Sequence, residues 1–422
     1  MSVFSKKKIK DFIIYGLGQA INIVGPLLLL PYIISKCGAE GLGKVGAGMS
    51  LALIMNGIID YGSYINGVKE ISINRENTTV LEHHFKSIYF SKFILLIGVL
   101  LVVTLAIFMI PFFEQDKQLY FFSFLIVIGQ FINPMWFLQG IENFKMISFI
   151  NVLSKLIYIF LVFVLISTKN DYIYVNLFFG FGAIVGNCLG LVWLVRKYSF
   201  SVTSFELKPA LYIIKNEFSF SVSQLFLSIY QYSPILLISY VAGDFVAGQF
   251  KIIDQIVSIF KTYLNMFFYF VYANICFELS KSAKKGLKIW KQYNGLNFLF
   301  LFFVLAVFYS YAELILTYFK IDPKELAQTV QYFRIGIIVP FLVSISQPLR
   351  QLMFAFNENK IYIKITIATT VLNFILLLLF TKQYGLQGAF LSIIIVEIII
   401  IILYNIILMK HFKENLQFQN GL

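Results

Sequence analysis

One pattern recurs along the chain: a run of roughly 20 mostly apolar residues followed by a short polar break, repeated about twelve times. A helix of that length covers the hydrocarbon core of a bilayer, where backbone groups must be satisfied within the segment itself. The pattern predicts spans over 11–35, 42–66, 88–113, 118–140, 146–168, 172–195, 213–240, 246–275, 293–318, 328–352, 361–381 and 386–409. No stretch reads as a strand. The longest connections, 67–87, 196–212 and 276–292, are all basic and fall on one side. The 196–212 connection divides the chain into halves of equal span number, 1–200 and 201–422, as in transporters built from repeats. A faint internal echo follows that division: Gln19, Ile34-Ser35 and Glu40 in the first half, Gln224, Ile238-Ser239 and Asp244 in the second.

Composition agrees with a membrane protein. Of the 422 residues 59% are hydrophobic and 13% charged, too little polar surface to cover a soluble body of this size. The mean hydropathy is +0.81. The net charge of +13 would suit nucleic acid only if it were gathered on a soluble face, and here it sits in loops. It is therefore read as orientation. With the N-terminus inside, 22 Lys and Arg lie on the cytoplasmic side against 7 on the other, which predicts both termini in the cytoplasm and an even span number. Cys37, Cys188 and Cys276 are too scattered for a disulfide framework or metal centre, and His83, His84 and His411 lie in loops. No cofactor or metal is expected. The basic start Lys6 to Lys10 leads into a stretch too long for a signal-peptide core, so a retained first span is expected.

Candidate chemistry comes from polar residues inside spans. On the seventh span Ser221, Gln224, Ser228 and Gln231 step by three or four residues, and on the eighth Lys251, Asp254, Ser258, Lys261 and Asn265 do the same. Each series occupies one helix face, which is wet or meets another polar helix. The first span offers Tyr15, Gln19 and Asn22, then Pro26 and Pro31, which remove backbone donors and can kink the helix as a gate. Lys155, Lys261 and Glu397 fall near span midpoints, where an ionised group costs about 2.5–3.5 kcal/mol on insertion scales and must face a cavity or a partner. Arg334 and Lys251 lie nearer the span ends and can reach the interface. Lys251 and Asp254 are also spaced to neutralise each other at i, i+3. There is no catalytic constellation, P-loop or dinucleotide fingerprint, so neither an enzyme nor an ATP-driven pump is expected.

Two stretches carry a family resemblance. Asp60-Tyr61-Gly62 with Asn66-Gly67-Val68-Lys69-Glu70-Ile71-Ser72, and Pro134-Met135-Trp136-Phe137-Leu138-Gln139-Gly140-Ile141-Glu142, resemble the oligosaccharide-lipid flippases that export O-antigen and related repeat units. These form the polysaccharide transporter branch of the multidrug/oligosaccharidyl-lipid/polysaccharide superfamily. The resemblance implies an all-α fold of about 12 transmembrane helices, arranged as two six-helix bundles around a central cavity and working by alternating access in the bacterial inner membrane. It implies a polyprenyl (undecaprenyl) pyrophosphate-linked oligosaccharide as cargo, and the polymerase and chain-length proteins of the same pathway as further partners. Lys155, Lys261, Arg334 and Lys251 suit the pyrophosphate by charge, and Glu397 and Asp254 are the candidates for coupling to a proton or sodium ion. Gln19, Asn22, Gln224, Ser228 and Gln231 are the expected polar lining, and Asp60, Gly62, Pro134, Trp136, Gln139 and Gly140 the motif positions. The competing readings are a cation-coupled multidrug exporter, which should prefer acidic cavity residues, and a membrane-embedded polymerase or glycosyltransferase. The latter needs a substantial outer loop, and none here exceeds about ten residues.

Overall fold

Among the residues described by the computed structural model, 6–61, 63–201 and 206–420, all regular structure is helical. Ten of the helical segments are long and apolar enough to cross a membrane. Two long helices are broken by glycine: α1 (Lys6–Asp60) at Gly38, with φ 75° and ψ 174°, and the last helix, Asn359–Asn420, at Gly385, with φ 55° and ψ −136°. Side chains with a Cβ rarely adopt such dihedrals. Each break separates two segments long enough to span, 6–37 from 39–60 and 359–384 from 386–420, so the described helices supply about twelve membrane-length segments. The chain is an all-α polytopic membrane protein.

A first compact unit runs to Tyr240. Besides α1 it holds α2 (Val68–Ile73), α3 (Thr78–Met109), α4 (Lys117–Ile132), α5 (Met135–Gly140), α6 (Phe144–Leu165), α7 (Tyr172–Tyr198), α8 (Leu207–Asn216) and most of α9 (Phe218–Ala242). Helix α7 packs on both α4 and α6, and α1 packs on α4 and α6. Hydrophobic burial cannot drive this association in lipid, so close backbone approach and interhelical hydrogen bonds take over. Gly182, Gly186 and Gly190 form a row on α7 against Ile150 and Ser154 of α6, where an added Cβ at Gly182 would lie 2.5 Å from the Ser154 carbonyl oxygen. Asn176 donates to the Val45 carbonyl at 3.1 Å and to the Ser123 hydroxyl at 2.9 Å, and Asn187 donates to the Gly129 carbonyl at 2.7 Å. These bonds tie α7 to α1 and α4.

The expected span 118–140 is interrupted. Pro134 has no N–H to continue the ladder, so α4 stops at Ile132 and α5 starts at Met135, whose amide donates to the Asn133 side chain at 2.9 Å. Tyr89 donates to the freed Ile132 carbonyl at 3.0 Å. By contrast α1 runs through Pro26 and Pro31 with helical dihedrals, and its break comes later, at Gly38.

The second unit, from Val241, holds α10 (Asp244–Lys281), α11 (Ala283–Ser310), α12 (Ala312–Thr317), α13 (Pro323–Gly336), α14 (Ile338–Ala355) and α15 (Asn359–Asn420). Helix α14 packs between α10 and α15, and α10 also packs on α11. Leu349, Leu352, Met353, Tyr362, Ile365, Tyr404 and Leu408 form its core near one end. Large apolar side chains remain exposed along α3, α6 and α11, including Leu101, Phe108, Phe160, Phe300 and Phe303, as expected of lipid-facing surface.

Candidate translocation site

In the first unit the deep cation is Lys155, at the middle of α6. Its ammonium sits 3.9 Å from the centroid of the Phe179 ring on α7. Among the described residues no carboxylate lies within 4 Å of it. An aromatic face lowers the cost of a desolvated cation without neutralising it. One turn before it, Asn151 is buried with its side-chain nitrogen making no hydrogen bond among the described residues. This face of α6 therefore holds an uncompensated positive charge and an available donor at mid-span.

The polar residues expected on the seventh span divide by environment. Gln231 is exposed, Gln224 is half-buried, and Ser228 closes against Gly57 of α1, where there is no room for a Cβ. Ser228 thus serves helix packing as well as polarity. The side chains of Gln19 and Asn22, and Gly62 altogether, lie outside the described residues.

In the second unit the stripe on α10 keeps its predicted register. Lys251, Asp254, Ser258 and Lys261 are half-buried and Asn265 is exposed, while Ile252, Ile253, Ile256, Val257, Phe260 and Leu264 point into the unit. The ion pair differs from the sequence expectation. Asp254 pairs two turns along with Lys261, at 3.6 Å, and not with Lys251 at i, i+3. Both side chains are about one-third exposed, so solvent screens the pair and its stabilising effect is small. Arg334 lies on α13 with its guanidinium 5.1 Å from the centroid of the Tyr309 ring of α11. Glu397 is 5% exposed on α15 and accepts from the Ser346 hydroxyl of α14.

The motif positions make a buried joint at one end of the first unit. Asp60, at the end of α1, faces Lys92 of α3 at 3.3 Å and accepts from the Gln130 amide of α4 at 2.9 and 3.1 Å. Trp136 is fully buried among Tyr89, Phe137 and Gly67, and Gly140 lies so close to Ile71 that a Cβ would come within 2.6 Å. Tyr61, just before the π-turn at Ser63–Gly67, donates to the Ile214 carbonyl at 2.6 Å, and Asn66 within it donates to the Glu217 carboxylate. The motif thereby clamps α1, α3, α4, α5 and the α8–α9 link together. Gln139 is exposed at the end of α5. Lys92, 1% exposed, and Gln130 were not singled out by sequence. Lys92 stands only a turn inside its predicted span, where a lysine ordinarily reaches the interface.

Two helical units of membrane-length helices, with cations and a carboxylate at depth, define a membrane transporter. Residues 9–272 match the family described as "Polysaccharide biosynthesis protein", and the chain belongs to that family of transporters. It is not an enzyme family. Two curated relatives named "Putative O-antigen transporter" align over nearly the whole chain. The one from Escherichia coli (strain K12) is 23% identical, covering 94% of this chain and 95% of its own, and the one from Shigella dysenteriae is 21% identical, covering 93% and 98%. Among solved structures the fold is similar to an inward-facing multidrug resistance MATE family transporter of the MOP superfamily, with TM-score 0.72, 16% identity and 95% of each chain covered. It is also similar to the lipid II flippase MurJ in an inward closed conformation, with TM-score 0.68, 13% identity, and 94% of this chain and 87% of that one covered.

Proposed function

We propose that the protein is a flippase that moves polyprenyl-pyrophosphate-linked oligosaccharide repeat units from the cytoplasmic to the outer leaflet of the bacterial inner membrane, for O-antigen or capsule assembly. The observation that carries this reading is Lys155: a cation at mid-span, stacked on Phe179 and without a neutralising carboxylate among the described residues, suits an anionic headgroup in transit. A carrier of organic cations would place acidic groups there. The names of the relatives and the family match support the same cargo class. In this reading the halves 1–200 and 201–422 alternate access, both termini are cytoplasmic, and Lys251, Lys261 and Arg334 contribute positive potential. Glu397, buried on α15, and Asp254, paired with Lys261, are the candidates for coupling to a proton or sodium gradient.

The test is transport of a short-chain, pyrophosphate-linked glycan lipid by proteoliposomes, comparing wild type with Lys155→Ala and Lys261→Ala at equal protein levels. Wild-type transport reduced at least tenfold by Lys155→Ala is expected, the size of one charge-assisted contact of about 1.5–3 kcal/mol. Absence of wild-type transport for any such lipid, with export of an organic cation, would replace the flippase by a multidrug exporter.

A further inference from the structure

The second unit holds a cation that the reading above leaves unused. Arg350 lies in the last turns of α14, about 8 Å short of the helix end at 1.5 Å per residue, and so near headgroup depth. This end carries the basic α10–α11 connection: Trp290 of α11 donates to the Pro348 carbonyl at 3.1 Å and Asn294 to Gln351 at 3.0 Å, next to Lys281, Lys284, Lys285, Lys288 and Lys291.

The guanidinium is held from two sides. Its Nη2 donates to the Asn265 side-chain oxygen at 3.5 Å, its Cζ lies 4.8 Å from the Phe268 centroid, and Gln347 donates to the same Asn265 oxygen at 2.9 Å. Its Nε is buried and makes no hydrogen bond, and among the described residues no carboxylate stands within 4 Å of it. Lys261, one turn away on α10, is occupied by Asp254 at 3.6 Å. Among the described residues Arg350 is therefore a cation with no carboxylate partner, and its planar fork matches two phosphate oxygens better than an ammonium does.

We propose that Arg350, oriented by Asn265 and Phe268, binds the diphosphate of the lipid-linked cargo on the loading side, before the cargo passes to mid-membrane depth. The inference rests on the flippase reading. A phospholipid phosphate offers related chemistry, with one phosphodiester in place of two linked phosphates, and the experiment separates the two.

Full-length protein in nanodiscs of neutral lipid would be titrated with a short polyprenyl diphosphate, with phosphatidylglycerol and with inorganic pyrophosphate, following Trp290 fluorescence and confirming stoichiometry by native mass spectrometry. Expected is wild-type binding of the polyprenyl diphosphate, weakened about tenfold by Arg350→Gln, two- to threefold by Asn265→Ala, and partly restored by Arg350→Lys. Lys117→Ala, at a surface pair with Glu114 in the first unit, serves as the control. Wild-type binding unchanged in Arg350→Gln and Asn265→Ala overturns the inference and leaves the flippase intact. Equal affinity for phosphatidylglycerol also overturns it, by making the site a general anionic-lipid contact. A wild type that binds no polyprenyl diphosphate fails the flippase reading itself. If Arg350→Gln does not fold, Asn265→Ala and Arg350→Lys decide: unchanged affinity in both counts against the inference.

Discussion

Three buried or half-buried lysines show that a charge inside a span has its meaning set by its partners. Lys92 faces Asp60 at 3.3 Å, Lys261 faces Asp254 at 3.6 Å, and Lys155, among the described residues, faces the Phe179 ring and no carboxylate within 4 Å. Removing the carboxylate opposite a lysine that is 1% exposed should be costly: Asp60→Leu is expected to lose about 3–5 kcal/mol of stability, and the double variant Asp60→Leu with Lys92→Met to regain most of it. Thermal unfolding in detergent measures both. Lys155→Met should behave oppositely, because it removes a desolvated charge: thermal stability equal to or above wild type, with transport reduced at least tenfold. A loss of stability in that variant would make Lys155 a structural residue. Sequence position alone revealed Lys155, since depth within an apolar run is visible in one dimension. It did not reveal Lys92, whose burial is supplied by α1 and α4, far away along the chain.

Helices were legible from their apolar runs, and so were the two glycine breaks, which fall between predicted spans at Gly38 and Gly385. The interruption at Pro134 was not legible in the apolar run, which reads the same through a helix and through a two-residue gap; only the proline itself marks it as an irregular point. Nor was the role of Pro26 and Pro31, which α1 accommodates without leaving helical dihedrals. How helices meet depends on volume rather than hydropathy. Gly182 on α7 leaves 2.5 Å between a virtual Cβ and the Ser154 carbonyl, whereas Gly98 on α3 has nothing within 4 Å. Gly182→Ala is therefore expected to cost about 1–3 kcal/mol by forcing α6 from α7, and Gly98→Ala to be neutral or stabilising by up to about 1 kcal/mol. Thermal midpoints of the two variants, measured side by side, check the contrast. Equal effects would mean that the glycine row does not set the α6–α7 distance.

For the whole molecule, direction of transport depends on which leaflet receives the basic end. The 22-to-7 division of Lys and Arg predicts a cytoplasmic 276–292 connection, and Lys382, beside the Gly385 break of α15, would then lie on the opposite side. With Cys37, Cys188 and Cys276 replaced by alanine, Lys285→Cys and Lys382→Cys would each supply a single exposed thiol within one unit. In intact cells a membrane-impermeant maleimide is expected to label Lys382→Cys at once and Lys285→Cys only after permeabilisation. The reverse pattern would put both Arg350 and the basic connection on the outer side, where a lipid-linked precursor made in the cytoplasm is not yet present. It would then exclude export by the proposed route even if the protein binds the precursor. Labelling therefore tests direction independently of affinity, and it discriminates because, on the proposed route, the charge asymmetry that predicts orientation would also supply the anion-attracting potential where cargo loads.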